Sequence, residues 1–193
     1  LSVETKELVV KKLDELCYFL NRGRKPDDGF FIDCPAVRFA YEMAILDLQN
    51  HNPNVLFETS FTRRSSIPIN GLVWMGSKEY MFDQIKDKIS QGFKCIKIKI
   101  AAIDFQEELD LLKYIRSQFS SEDIEIRVDA NGGFILNEAF DNLKRLSEFD
   151  LHSIEQPIGQ GNYAEMAILC KESPIYIALD EELIGVDVEN QGA

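Results

Sequence analysis

Two lysines and three acids recur along this chain at spacings that could do chemistry. Lys97 and Lys99 sit in "CIKIKI", a run that alternates strictly between isoleucines and other residues. Asp129 closes "IRVD", Glu155 closes "HSIE" and Asp180 closes "IALD", 26 and then 25 residues apart. Residues two apart share one face of a strand, so both amines point the same way. If the runs that end in acids are neighbouring strands, three carboxylates gather at one edge. Anions that close repel, and each is harder to ionise until a cation neutralises the group. Carboxylate oxygens suit a hard divalent ion, Mg2+ above all, with Mn2+ as the alternative. An amine taken out of water loses its proton more readily, which suits Lys99 to general-base work. Each residue alone has a plainer reading, as a helix-capping acid or a solvated lysine. The three acids in phase, one strand behind the lysine pair, favour the chemical one.

Those residues need elements to hold them. Residues 1–20 and 35–50 read as amphipathic helices, the first capped by Ser2 with Thr5 and Glu7 nearby, the second opened by Pro35. Residues 21–34 read as loop, and "HNPN" at 51–54 as a turn within an irregular stretch that runs to 66. Beyond that, strands at 67–75, 95–100, 124–130, 151–157 and 175–181 alternate with helices at 77–92, 104–119, 136–149 and 162–173. Strands alternating with helices form a parallel sheet through right-handed crossovers. The class is α/β, as a doubly wound open sheet or a (β/α)8 barrel. In a barrel Ile96, Ile98 and Ile100 face the helices. The lysines then face the interior, Lys99 near the C-terminal rim where the acids gather. Only 127 residues follow position 66, against about 250 for a whole barrel, so a barrel here lacks its later units.

The chain has 193 residues, 45% hydrophobic and 28% charged, enough for one good core or one domain and part of another. Its net charge of −12 would be repelled by nucleic acid and by anionic membranes. Cysteines 17, 34, 95 and 170 form no CxxC pair and read as free thiols in a reducing cytoplasm. No apolar run approaches the ~18–20 residues of a membrane span. Residues 1–20 lack the basic-then-apolar order of a signal peptide. The expectation is a cytoplasmic protein with a small-molecule partner.

The series "KIK", "DAN", "EQP" and "DE", each one strand–helix unit apart, resembles the enolase superfamily, in its muconate-lactonizing subgroup. The resemblance implies a (β/α)8 barrel behind a capping domain. Residues 1–62 would be the helical part of the cap, and 63–193 the first part of the catalytic barrel. It also implies that Lys99 is the acid/base, that Lys97 supports it, and that Asp129, Glu155 and Asp180 bind Mg2+. Asn131 would lie in the substrate pocket beside the metal. Within the subgroup, "PAVRFAYEMAILDL" and "SSIPINGLVWMG" are similar to the o-succinylbenzoate synthase family. That family implies a Mg-dependent syn-dehydration in menaquinone biosynthesis, with a small carboxylate as substrate.

The same metal and lysine set serves dipeptide epimerases, which need a second lysine on a sixth strand. That strand, and the strands that begin the capping domain, are not in this sequence. Both ends therefore read as cut, "VDVENQGA" stopping where a helix would start, and this piece alone is expected to be inactive. A receiver-like Mg2+-binding domain fits less well. It would place paired acids after the first strand and its lysine after the last. A non-catalytic barrel scaffold is the remaining alternative.

Overall fold

A computed structural model describes residues 4–50, 55–184 and 186 and divides the chain into two compact units, Leu1–Ile67 and Pro68–Ala193. Ser2, the "HNPN" segment and, apart from Val186, the "VDVENQGA" tail lie outside the described residues.

In the first unit, helix α1 (Lys6–Leu20) begins at Thr5, whose side chain accepts from the Leu8 N–H at 3.2 Å. That bond satisfies one of the donors every helix start leaves free. Helix α2 (Pro35–Gln49) starts on a proline, which has no N–H to waste there. Between them, in a stretch that reads as loop, Asp27 caps a short 3-10 helix, Asp28–Phe31. One turn is too short to leave a periodic signal. Leu16, Phe31, Cys34 and Val37 form a small buried cluster, with Phe31 stacked on Tyr41 at 5.4 Å between centroids.

The second unit holds five strands: β1 (Gly71–Val73), β2 (Cys95–Lys99), β3 (Glu125–Asp129), β4 (Ser153–Glu155) and β5 (Tyr176–Ala178). Helices α3 (Lys78–Ser90), α4 (Phe105–Gln118), α5 (Leu136–Leu146) and α6 (Tyr163–Glu172) connect them. Every pairing is parallel, and the strands lie side by side in chain order. That order decides between the two architectures. A doubly wound sheet reverses direction at a switch point, whereas a barrel adds each strand beside the last. This sheet follows the barrel order. Its first, fourth and fifth strands are shorter than the sequence pattern suggests, because each is bounded by the three residue pairs that it forms with its neighbour.

The helix-facing side of the sheet is the core. Ile96, Ile98, Ile126, Val128 and Ile154 are buried against Met81 and Ile85 of α3, Leu112 and Ile115 of α4, and Leu143 and Leu146 of α5. Each such side chain contributes about 1.5–3 kcal/mol by leaving water. The loops after β2 and β3 also touch. A Cβ on Gly133 would fall 2.7 Å from the Ala101 Cβ and 2.9 Å from the Ala130 carbonyl oxygen, so only glycine fits. The loop after β2 is tied to α4 by the buried Glu108, whose Oε1 accepts from the N–H groups of Ala102 at 3.0 Å and Ile103 at 3.3 Å. All four cysteines are free thiols, and no described helix is long and apolar enough to cross a membrane.

Candidate active site

The opposite face of β2 and β3 is charged. Side chains on a strand alternate faces, so burying Ile96, Ile98 and Ile100 on the helix side forces Lys97 and Lys99 to the other. Parallel register then sets the rim: Lys99 pairs with Asp129, and Asp129 with Glu155. The residues lie 30 and 26 positions apart in sequence and next to each other in space.

Asp129 is the hub. It is fully buried, and its Oδ2 accepts from the Lys99 amine at 2.6 Å and lies 2.9 Å from the Lys97 amine. Its Oδ1 accepts from the Asn131 N–H at 3.0 Å. Lys97 also donates to Glu155 Oε2 at 2.7 Å, and Lys99 to Asn131 Oδ1 at 2.7 Å. Asn131 in turn donates to Glu181 Oε1 at 3.0 Å. The Lys99 amine stands 5.6 Å from the ring centre of Trp74, within reach of its π face.

The charges answer one another. Burial alone would raise the Asp129 pKa, but the hydrogen bonds from Lys99 and Lys97 hold it below the ordinary aspartate value. Burial likewise pulls on the Lys97 amine, and its bonds to Glu155 and Asp129 leave it above the ordinary lysine value. Glu155 goes the other way: burial and the nearby Asp129 charge push it up, more than Lys97 pulls it down.

The structure thus brings Lys97, Lys99, Asp129, Glu155 and Asn131 into one connected set. Asp180 is outside it. β5 ends at Ala178, and Asp180 lies two residues further on, exposed, with no ion pair or side-chain hydrogen bond among the described residues. Among those residues no three or more His, Cys, Asp or Glu side chains are grouped to hold a metal ion. The donor chemistry nonetheless fits a hard cation. Asp129, Glu155 and Glu181 outnumber the two amines, and Glu181 Oε2 is buried with no partner among the described residues.

Trp74, Glu181 and Gln156 do not stand out in the sequence: Trp74 lies in an apolar run, and the other two sit beside an acid with a stronger signal. Glu181 and Gln156 each directly follow a rim acid, and that adjacency is the signal that could have found them.

Comparison with known proteins shows the family. Residues 80–188 match the family "Enolase C-terminal domain-like", and the chain belongs to it. It is 50% identical over 182 residues to the o-succinylbenzoate synthase of Desulfotalea psychrophila, covering 94% of this chain and 49% of that protein. The crystal structure of MenC from Desulfotalea psychrophila LSv54 superposes with a TM-score of 0.72 at 48% identity, over 92% of this chain and 49% of that one. The o-succinylbenzoate synthase of Bacillus subtilis is 30% identical over 147 residues, 76% of this chain and 38% of that protein. The chain spans about half, or less, of the length of these relatives.

Proposed function

We propose that the full-length protein is an o-succinylbenzoate synthase of menaquinone biosynthesis, working in the cytoplasm on a small carboxylate. The observation that carries this reading is the linked set Lys99–Asp129–Lys97–Glu155 at the ends of three adjacent parallel strands. The identity to the Desulfotalea psychrophila synthase supports it. Residues 1–62 would belong to a capping domain and 63–193 to the catalytic barrel.

The substrate on this reading is 2-succinyl-6-hydroxy-2,4-cyclohexadiene-1-carboxylate. Lys99 removes the proton alpha to its carboxylate. The amine, now an ammonium group, delivers that proton to the hydroxyl leaving from the same face. The products are o-succinylbenzoate and one water, so the proton count balances. Asp129 and Asn131, both hydrogen-bonded to the Lys99 amine, aim it. Lys97 adds positive charge beside the carboxylates. Asp129, Glu155 and Asp180 would hold Mg2+ or Mn2+. The bound ion supplies positive charge against the charge that builds on the substrate carboxylate as the proton departs. Formation of the aromatic ring drives the step forward.

The test is turnover by the full-length protein. Mg2+-dependent conversion of the cyclohexadiene acid to o-succinylbenzoate, abolished by EDTA, is the expected result. No dehydration, with epimerisation of dipeptides instead, would replace this reading with the epimerase one.

A further inference from the structure

Gln156 and Glu182 belong to the "EQP" and "DEE" segments but touch no reacting group. Both are buried, Gln156 completely. Gln156 sits at φ +40°, a left-handed conformation that costs a non-glycine residue about 1–2 kcal/mol. Such strain persists only where the surroundings hold it.

The surroundings here are a full set of hydrogen bonds. The Gln156 side-chain oxygen accepts from the Asp180 N–H at 3.2 Å and the Glu182 N–H at 3.1 Å. Its amide nitrogen donates to the Ile158 carbonyl at 3.0 Å and to Glu182 Oε2 at 3.1 Å. That uses both acceptor sites and both donors of the side chain. Its main-chain carbonyl accepts from the Gly132 N–H at 2.7 Å, and its own N–H donates to the Ala178 carbonyl at 2.9 Å. Glu182 completes the brace, with Oε1 accepting from the Gly161 N–H at 3.0 Å.

The brace therefore joins the loops that follow β3, β4 and β5, the three that carry Asp129, Glu155 and Asp180. Gln156 directly follows Glu155 and grips the backbone of Asp180. Glu182 accepts only from amide groups and pairs with no cation among the described residues, an expensive way to bury a carboxylate. Ordinary packing would be served by an apolar residue.

We propose that Gln156 and Glu182 are positioning residues that hold the Asp180 backbone beside Glu155, so that the Asp180 carboxylate reaches the divalent-cation site. The proposal rests on the reading that Asp129, Glu155 and Asp180 bind that cation. A substitution in the brace should then act on metal affinity. Glu182→Gln keeps the shape of the side chain but sets an NH2 group against the Gln156 donor or the Gly161 N–H. The exchanged pair Gln156→Glu with Glu182→Gln reverses that donor and acceptor and restores the link between the two side chains, at the cost of the bond to the Ile158 carbonyl.

The experiment measures the Kd for Mn2+ on the full-length protein by titration calorimetry, with circular dichroism to follow the fold. Glu182→Gln should weaken Mn2+ about 10–100-fold, the usual range for residues that orient metal ligands. The exchanged pair should recover part of that loss. Asp180→Ala serves as the reference. If Asp180→Ala weakens Mn2+ but folded Glu182→Gln does not, the brace is structural only and the proposal falls. A folded exchanged pair that binds Mn2+ as weakly as Glu182→Gln overturns it too. If the wild-type protein shows no saturable Mn2+ binding, the cation reading fails and takes the positioning role with it. Should Glu182→Gln not fold, the exchanged pair decides: a Kd nearer that of the wild type than that of Asp180→Ala supports the brace, and one as weak as that of Asp180→Ala overturns it.

Discussion

Ile98 and Lys99 are adjacent on one strand and live in opposite surroundings. Ile98 is sealed among Met81, Leu112 and other aliphatic side chains on the helix side. Lys99 is held by an aspartate and an asparagine on the other side. On the first face, energy comes from many weak contacts, none of them directional, and neighbours can relax around a loss. On the second, each group has a named partner at a fixed distance, and nothing substitutes for it. The apolar face should thus answer to volume and the charged face to chemistry. Substitutions one residue apart can separate the two.

The largest effect belongs to Lys99. In the full-length enzyme Lys99→Met should lower kcat by about 10²–10⁴-fold, the usual worth of a positioned acid/base. Its thermal midpoint should move little, because Lys97 still pairs with Asp129. A large fall in the midpoint would show that the charged face holds the fold as well, and would blur the contrast. Ile98→Ala comes next. It should cost about 2–5 kcal/mol in denaturant unfolding. The fraction that stays folded should turn over at close to the wild-type rate. Loss of activity without loss of stability there would break the comparison from the other side.

The smallest effect is a pH dependence on α4. Burial raises the Glu108 pKa above the ordinary glutamate value, and its Oε2 has no partner among the described residues. A raised acid favours the folded state below the ordinary carboxylate pKa. It loses that contribution as pH climbs through the raised value. Glu108→Gln keeps an acceptor for Ala102 and Ile103 and removes the charge. The variant should therefore be more stable than the wild type at neutral pH, with a flatter stability profile above the glutamate range. Urea unfolding at several pH values checks this. A variant that is less stable at neutral pH would mean the charge itself is needed beneath the loop.

Much of the fold and the rim is legible in the sequence. The alternation of β2 announces a strand with two unlike faces, and the repeated strand–helix unit announces a parallel sheet, while the strand order that separates a barrel from a doubly wound sheet comes from the structure. Asp129 and Glu155 lie at the strand ends where their motifs put them. Asp180 does not, because β5 stops at Ala178 once its pairing with β4 ends. Strand ends depend on a neighbour, which local pattern does not include. Gln156 is legible only by its place after Glu155. Its part depends on a left-handed turn and on the backbone N–H groups of Asp180 and Glu182, which leave no periodic trace.

The strand order also has a consequence in time. Each strand of the sheet pairs with the one made just before it, across a loop and one helix. A chain emerging from the ribosome gives each new strand a partner made one unit earlier, which keeps the loops to be closed short. The rim would grow in the same sequence, first the amines of β2, then Asp129, then Glu155. Positive charge would be waiting at the edge before each acid arrives.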